Sequence, residues 1–228
     1  MADSDAFIVT VDGPSGSGKG SLAVKLAREL GFSLLDSGAI YRLVAIKALR
    51  EKLDLDQEDA VVKVLDDFDI HFEAGEDLVI PFLDGEDVTS QIRTEEAGEV
   101  ASQVARHPRV RQGLMALQKS FFKSPGLVAD GRDMGTEVFP EARFKFYLYA
   151  SVEIRAQRRY KQLINMGLSA NIADLLADIA ERDERDMGRS ASPLRPAEDA
   201  LVIDSSLLDL TQVYELVLSH IREDLDAV

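Results

Sequence analysis

Between residues 13 and 21 the chain reads Gly13-Pro14-Ser15-Gly16-Ser17-Gly18-Lys19-Gly20-Ser21. A short apolar run, Phe7–Val11, precedes this segment, and a helical pattern follows it, with leucines at every fourth position from Leu22 and Gly31 as a stop. Strand, glycine-rich loop, lysine and helix in this order predict a loop whose backbone N–H groups converge on phosphate oxygens. The helix N-terminus adds a partial positive charge, and Lys19 directs a full one at the β- and γ-phosphates. Because these features agree, a phosphate loop (residues 13–21) is favoured over a flexible glycine turn.

One position departs from the general form of this motif, in which Ser or Thr follows the lysine and its hydroxyl binds Mg²⁺. Here Gly20 occupies that position, and the hydroxyl comes at Ser21. We expect Mg²⁺ to arrive with a nucleotide and to stay largely hydrated, since this ion loses water reluctantly. No direct metal ligand is predicted, and Ser21 and Asp130 are candidates for contact through water. The form resembles nucleoside monophosphate kinases rather than GTPase switches or motor ATPases.

Composition narrows the class of protein further. The chain has 228 residues, 46% of them hydrophobic, which is enough for the core of one domain with or without insertions. Its apolar runs are too short to span a bilayer, and the acidic residues 1–5 lack the basic and apolar regions of a signal peptide. There is no cysteine, and the net charge of −15 argues against a basic surface for nucleic acid. A cytoplasmic enzyme without a membrane or nucleic-acid partner is expected.

Short apolar runs separated by helical patterns predict a five-stranded parallel sheet with helices on both faces, an α/β fold. The runs are Phe7–Val11, Leu34–Leu35 with its neighbours, Leu127–Ala129, Phe144–Tyr149 and Leu201–Ile203. Ligands of such sheets bind beyond the carboxyl ends of the strands. The segments expected at those ends are the phosphate loop, Asp36–Gly38, Asp130–Asp133 and Asp204–Ser206.

The alternation of strand and helix is interrupted between residues 68 and 89. Ile70–Phe72 and Leu78–Leu83 flank the turn-rich tetrapeptide Ala74-Gly75-Glu76-Asp77, which predicts a small antiparallel hairpin. Pro81 lacks an N–H group and would place its strand at an edge. We interpret about residues 63–100 as an insert in a single domain, 1–228. The resemblance to nucleoside monophosphate kinases implies that this insert binds the monophosphate.

A helix predicted over Ile172–Asp186 changes character along one face. Its apolar stripe consists of Ile172, Leu175, Leu176 and Ile179, and the same face continues with Arg182, Asp186 and Arg189. Either the helix end leaves the core and its charges are solvated, or these charges act on an anion. The second interpretation predicts an arginine-rich lid over about residues 155–196. Its arginines are Arg155, Arg158, Arg159, Arg182, Arg185, Arg189 and Arg195.

Two further segments carry candidate anion ligands. In Asp130–Thr136, Asp130 ends a strand opposite the phosphate loop, and Arg132 and Asp133 supply a donor and an acceptor, or form a local ion pair in a tight turn. In Ser37–Arg42, Ser37 either caps a helix or contacts a phosphate, and Arg42 can reach the same anion.

The remaining polar residues point to no other chemistry. His71, His107 and His220 lie in unrelated contexts, and none is predicted to be catalytic. No Cys/His metal cluster and no Ser/His/Asp set is recognisable in the sequence.

Together these segments resemble the bacterial cytidylate kinase family over essentially the whole chain. The resemblance is carried by residues 13–20, 35–42, 99–105, 108–111, 130–136 and 181–186 and by the hairpin insert. The run Asp130–Thr136 with the long insert is its most specific part, and Gly20 is normal in this family. The resemblance implies transfer of the γ-phosphoryl group of ATP, with Mg²⁺, to CMP or dCMP by a monomer.

The resemblance also implies roles for individual residues. The phosphate of CMP would be held by Ser37, Arg42, Arg132 and Arg189. The cytosine would be read by Ser102, Arg111 and Asp133, and the ribose contacted by Arg182 and Asp186. ATP would bind Gly13, Pro14, Ser15, Gly16, Ser17, Gly18, Lys19, Gly20 and Ser21, with Arg158 near the adenine. The catalytic charges would be Lys19, Arg132, Arg182 and Arg189.

Two other functions remain open from the residues alone. One is a kinase for another acceptor, such as UMP, AMP or shikimate. The other is a non-catalytic nucleotide-binding regulator, although the guanine-reading Asn-Lys-x-Asp and the post-strand Asp-x-x-Gly of GTPase switches are both missing from the sequence.

Overall fold

The computed structural model describes residues 6–74, 79–165, 167 and 169–226. The turn predicted at Gly75-Glu76-Asp77 lies outside these residues. The chain divides into two compact units, which are described separately: a first unit of Met1–Leu35 with Lys119–Val228, and a second unit of Asp36–Gln118.

The elements follow one another in the order of strand, helix and insert that the sequence pattern indicates. They are β1 (Phe7–Asp12), α1 (Lys19–Leu30), β2 (Ser33–Asp36), α2 (Ser37–Arg50), α3 (Glu58–Lys63), β3 (Ile70–Ala74), β4 (Val79–Leu83), β5 (Glu86–Asp87), a 3₁₀ turn (Gln91–Arg93), α4 (Glu95–Val104), α5 (Pro108–Lys119), β6 (Gly126–Gly131), a π-helical turn (Met134–Val138), β7 (Phe144–Tyr149), α6 (Val152–Asn165), α7 (Ile172–Gly188), β8 (Leu201–Asp204) and α8 (Leu210–Asp226).

The large sheet has five strands in the order β2-β6-β1-β7-β8. β1 pairs in parallel with β6 and β7, and β7 pairs in parallel with β8. The predicted parallel sheet is therefore confirmed. Its central strand β1 is buried on both faces, as the continuous apolar run predicts. Val9 and Val11 pack with Leu22 and Leu26 of α1 and with Val217 of α8.

The second unit contains a three-stranded antiparallel sheet in the order β3-β4-β5. The predicted hairpin is confirmed, but the prediction that Pro81 lies on an edge strand is wrong, since β4 is the central strand. Pro81 tolerates this place because β5 pairs only with Phe82 and Leu83. On that side the Pro81 carbonyl accepts the N–H of Val88 at 3.0 Å, and no N–H of its own is required.

The core of the second unit lies where α2 and the 3₁₀ turn meet β4. Its buried side chains are Ala39, Leu43, Ile46, Leu83, Val88, Ile92 and Ala97. This core fixes the N-terminal half of α2, which carries Ser37 and Arg42. Within the described part of the chain, no helix is both long and apolar enough to cross a membrane.

Candidate active site

The phosphate loop joins β1 to α1, and its carbonyl groups are held by donors from later elements. The guanidinium of Arg155 on α6 donates to the Ser15 carbonyl at 3.1 Å. The Ser17 carbonyl accepts from Arg158 at 3.2 Å and from the Ser205 hydroxyl at 3.0 Å. These bonds satisfy carbonyl oxygens that would otherwise repel a phosphate, so the loop is held in a form suited to an anion.

Lys19 opens α1 and is largely buried. Its Nζ donates to the Pro14 carbonyl at 3.3 Å and lies 4.0 Å from Oδ1 of Asp130. Gly13 begins the loop with φ of 151°, and a Cβ there would lie 2.0 Å from the carbonyl oxygen of Leu148. Only glycine fits this close approach of two backbones. Because its contacts with Pro14 and Asp130 are long, Lys19 can exchange them for contacts with phosphate oxygens.

The glycine that replaces the usual Ser or Thr has a steric explanation. A Cβ on Gly20 would lie 3.1 Å from Oδ2 of Asp130, whose side chain is mostly buried at the end of β6. The carboxylate thus occupies the space in which a side chain at position 20 would lie, while Ser21 is exposed. No group of three or more His, Cys, Asp or Glu suited to a metal occurs among the described residues. One carboxylate and one hydroxyl fit an ion that keeps most of its waters, such as Mg²⁺.

Arg132 follows β6 and forms its ion pair with α7 rather than locally. Its Nε donates to Oδ2 of Asp186 at 3.1 Å, so the alternative of a local pair with Asp133 is wrong. Burial lowers the pKa of Arg132, but the charge and hydrogen bond of Asp186, with the charges of Asp130 and Asp183, raise it by more. The guanidinium therefore carries its full positive charge.

The C-terminal half of α7 carries buried charges that are paired. Asp183 accepts hydrogen bonds from both terminal nitrogens of Arg155. Nη1 donates to Oδ1 at 3.1 Å, and Nη2 donates to Oδ2. Arg155 is 2% exposed and also donates to the Ala150 carbonyl at 2.9 Å. The alternative in which the charges of this helix end are solvated is wrong for Asp186, which is buried, as is Asp183.

The predicted apolar stripe of α7 is correct only in part. Leu175 is buried, whereas Ile172, in the first turn of the helix, is 40% exposed. Sequence reasoning overlooked Asp183, although it lies four residues after Ile179 and three before Asp186 and therefore shares their face.

The other arginines of the predicted lid are held in different ways. Arg158 also donates to the carbonyls of Ser205 at 2.5 Å and Leu208 at 3.4 Å, which ties it to the connection between β8 and α8. Arg189 caps the end of α7 and donates to the Ser192 carbonyl at 2.9 Å. Arg182 lies on α7 and is half-buried. The predicted contacts of Arg158 with adenine and of Arg182 with ribose stay predictions.

In the second unit, Ser37 does not cap α2 as one interpretation of the sequence expected. Asp36 is the cap, and its carboxylate accepts the N–H of Ala39 at 2.9 Å. Asp has the same capping chemistry as Ser and lies one residue earlier. Ser37 is the first residue of the helix, and its buried hydroxyl donates to Oε1 of Gln118 at 2.7 Å.

Three further predicted substrate residues belong to the same unit. Ser102 on α4 and Arg111 on α5 are both buried. The Arg111 guanidinium donates to the Ala105 carbonyl at 3.2 Å and lies 5.5 Å from the ring centroid of Tyr41. A guanidinium restrained by a carbonyl and an aromatic ring is oriented for planar recognition. Arg42 on α2 is half-buried.

Asp12, the last residue of β1, is a site residue that sequence reasoning missed. Its two carboxylate oxygens accept the N–H groups of Met134 and Gly135, each at 2.8 Å. The pKa of Asp12 is raised to about 7, chiefly by burial. The two hydrogen bonds lower it, whereas the nearby charges of Asp133 and Asp130 raise it. The signal that could have revealed it is an acidic residue at the end of a fully buried strand.

The three histidines make structural contacts. Nε2 of His107 lies 2.8 Å from the Leu55 carbonyl oxygen, and the His71 ring stacks on Phe82 with centroids 4.5 Å apart. The edge of the His220 ring packs against Phe146. That none of the three is catalytic stays a prediction.

The parallel sheet, the phosphate loop between its central strand and first helix, and the lysine that opens that helix define a P-loop protein of the nucleotide-binding α/β class. The sequence also matches a family model, that of cytidylate kinase, over residues 9–223. The chain therefore belongs to the cytidylate kinase family.

Curated relatives cover nearly the whole chain. The cytidylate kinase of Vibrio parahaemolyticus is 54% identical over 218 residues and covers 96% of each chain. That of Aeromonas hydrophila is 50% identical over 223 residues, covering 98% of this chain and 97% of the relative. The solved shikimate kinase of Acinetobacter baumannii covers 96% of this chain at 16% identity and a TM-score of 0.47, a similarity too low to bear on the substrate.

Proposed function

We infer that this chain transfers the γ-phosphoryl group of ATP to CMP or dCMP, which yields ADP and CDP or dCDP. The observation that carries this conclusion is the family match over residues 9–223, supported by relatives named cytidylate kinase at 50% identity or more. The phosphate loop and Lys19 supply the matching chemistry on the ATP side. Kinases for other acceptors and a non-catalytic regulator are not favoured.

The reaction needs positioning and positive charge more than it needs a base. The phosphate of a nucleoside monophosphate has a second pKa near 6, so it is mostly a dianion at neutral pH and attacks without losing a proton. Catalysis then consists of aligning two anions that repel each other and stabilising the charge that develops on the transferred group. Lys19, Arg132, Arg182 and Arg189 supply that charge in our proposal.

Mg²⁺ carried by ATP would supply further positive charge at the phosphate oxygens. The residues of this chain that would hold it are Asp130 and Ser21, through water. The position of Asp130 beside both Lys19 and Gly20 supports this part of the proposal.

For the acceptor, we propose the ligands that the family resemblance implies. Ser37, Arg42, Arg132 and Arg189 contact the phosphate. Ser102, Arg111 and Asp133 contact the base, and Arg182 and Asp186 contact the ribose.

The choice of base follows from hydrogen-bond chemistry. Cytosine presents an amino group at C4, which donates, and an unprotonated N3, which accepts, whereas uracil reverses both. An ionised carboxylate only accepts and a guanidinium only donates. Asp133 facing the amino group and Arg111 facing N3 would therefore fit CMP and oppose UMP. Each group left unpaired costs about 1–3 kcal/mol, and charged groups cost more.

The test is a coupled assay of ADP release against CMP, dCMP, UMP and AMP, for the wild type and for Asp133→Asn. We expect the wild type to prefer CMP or dCMP strongly, and the variant to lose at least tenfold of its preference for CMP over UMP. Glu137→Gln, an exposed acid in the same turn, is the matched control and should keep the preference. A wild type that prefers another acceptor overturns the function, and an unchanged ratio in Asp133→Asn overturns the assignment of Asp133.

We also propose that residues 155–196 form a lid that excludes water from the phosphoryl group. The buried pair of Arg155 and Asp183 supports this proposal because it joins α7 to α6, which itself binds the phosphate loop through Arg155. Hydrogen exchange with and without a bisubstrate analogue checks this prediction. Protection should rise across residues 169–196, and equal protection in both states argues against a lid.

The remaining parts of the proposal concern the organisation of the enzyme. They are a monomer in the cytoplasm, without a membrane or nucleic-acid partner, and an insert at about residues 63–100 that serves the binding of the monophosphate. The described three-stranded sheet lies within those limits. Light scattering of the purified protein tests the monomer.

A further inference from the structure

The turn that follows Arg132 and Asp133 is anchored by a residue from another strand. In the π-helical turn, the N–H groups of Glu137 and Val138 bond to the Asp133 carbonyl at 2.9 and 3.2 Å, and that of Phe139 bonds to the Met134 carbonyl at 2.7 Å. The first N–H groups of any helical turn have no partner within it. Here those groups belong to Met134 and Gly135, and the carboxylate of Asp12 accepts both.

This arrangement places one buried side chain between two functional segments. Asp12 is 4% exposed and immediately precedes Gly13, the first residue of the phosphate loop. Its two acceptors hold the turn directly after Asp133, the proposed reader of the base, and Arg132, the proposed phosphate ligand. A rotation of that turn would move both side chains, since Asp133 directly precedes it in the chain and Arg132 is the residue before Asp133.

We propose that Asp12 is a positioning residue for the acceptor substrate, which fixes Arg132 and Asp133 relative to the phosphate loop by holding the N–H groups of Met134 and Gly135. This role rests on the proposed function for the identity of the acceptor. In this role Asp12 acts on the choice of base and on the placement of CMP through Asp133 and Arg132, without itself contacting a nucleotide.

Close packing leaves the turn at Met134 and Gly135 little room to shift. A Cβ on Gly135 would lie 2.9 Å from the hydroxyl oxygen of Thr10, a fully buried residue of β1, and 3.3 Å from the side chain of Lys145. The turn is therefore held against β1 by hydrogen bonds on one side and by close packing on the other. A carboxylate offers two equivalent acceptors, whereas the amide of Asn offers one acceptor and one donor.

The first variant is Asp12→Asn, assayed at pH 8 so that Asp12 of the wild type is ionised. Its amide keeps the shape but turns a donor toward one of the two N–H groups. We expect kcat/KM for CMP to fall at least tenfold and the preference for CMP over UMP to fall with it, while KM for ATP stays within about twofold. Asp209→Asn is the matched control, since Asp209 is an exposed acid that accepts the N–H of Gln212 at 2.9 Å.

The second variant perturbs the same anchor without altering Asp12. Gly135→Ala pushes the turn away from Thr10 and should lower kcat/KM for CMP and the base preference in the same way. Thr10→Ala in the same chain removes the hydroxyl from the clash and should restore part of the loss.

The outcomes distinguish a failure of the positioning role of Asp12 from a failure of the proposed function. If Asp12→Asn and Gly135→Ala lower the melting temperature but leave the base preference unchanged, or raise KM for ATP and CMP equally, Asp12 is merely structural and the inference is wrong. If the wild type phosphorylates another monophosphate instead of CMP, the proposed function fails. The positioning role is then judged by the same ratios for that acceptor.

Discussion

At the scale of single residues, the chemistry of the phosphate loop depends on the space that Gly20 leaves for Asp130. The general motif gives this position to a Ser or Thr that binds Mg²⁺ directly. In this chain a Cβ there would press on a carboxylate oxygen at 3.1 Å, tighter than most contacts of real Cβ atoms. The space beside position 20 can therefore hold either a hydroxyl side chain at that position or the carboxylate of Asp130, and in this protein it holds the carboxylate.

Restoring the usual residue should harm the enzyme. We expect Gly20→Ala to lower kcat several-fold and Gly20→Thr to lower it by more than tenfold, because Asp130 must move away from Lys19 by an amount that grows with the side chain. The measurement is kcat at saturating ATP, CMP and Mg²⁺, with the Mg²⁺ dependence of the rate. A Gly20→Thr enzyme with the wild-type kcat would show that Asp130 does not need its present place.

At the scale of elements, the phosphate loop is held by helices and strands far from it in the chain. Arg155 and Arg158 come from α6, and Ser205 from the connection after β8. Arg155 further binds Asp183 of α7, whose next turn binds Arg132 through Asp186. α7 thereby joins the phosphate loop to a proposed ligand of the acceptor.

Arg155→Lys tests this connection, since lysine keeps the charge but not the fork that bonds Asp183 twice and Ser15 once. We expect KM for ATP to rise about tenfold, KM for CMP to change less, and the free energy of unfolding to fall by about 1–3 kcal/mol. Arg143→Lys is the matched control, because Arg143 binds Asp224 through two nitrogens at the surface. Such an exposed pair contributes about 0–1 kcal/mol. Equal effects on the two Michaelis constants would contradict a specific hold on the phosphate loop.

At the scale of the whole molecule, the acidic excess matters for stability at Asp12, a carboxyl whose ionisation is opposed by burial. The chain carries a net charge of −15, and Asp12 lies near Asp130 and Asp133, whose charges disfavour a further one. A carboxyl whose pKa is raised on folding binds its proton more tightly in the folded state than in the unfolded state. Its stabilising contribution is complete below the unfolded pKa and is lost as the pH rises through the folded pKa.

The pKa of Asp12 rises from 3.8 to about 7, so the window runs from about pH 4 to pH 7. We expect Asp12→Asn to gain stability relative to the wild type across this window, by up to about 4 kcal/mol at 1.36 kcal/mol per pKa unit. Urea unfolding of both proteins at several pH values measures the difference. Parallel curves for the two proteins would mean that Asp12 ionises in the folded state as easily as in the unfolded state.

Much of the fold and part of the site could be predicted from local patterns. The five strands, the phosphate loop, α1 with its stop at Gly31 and the antiparallel hairpin are each encoded by residues close together in the chain. Hydrophobic period, glycine spacing and capping act over a few residues, and a single sequence displays them directly.

The tertiary structure decided which charged groups meet. The sequence indicated that Asp186 lies on the same face of α7 as Arg182, but the partner of Asp186 is Arg132, 54 residues away, and that of Asp183 is Arg155. It left open that Ser37 caps α2, a role that Asp36 has, and it gave no sign that Asp12 holds the turn at Met134. Ion pairs and remote caps depend on the distance between elements after packing, and side chains of equal chemistry compete for them. No local pattern records that competition, so the sequence by itself determined the phosphate loop and its sheet, and only packing determined how the carboxylates and arginines around them are paired.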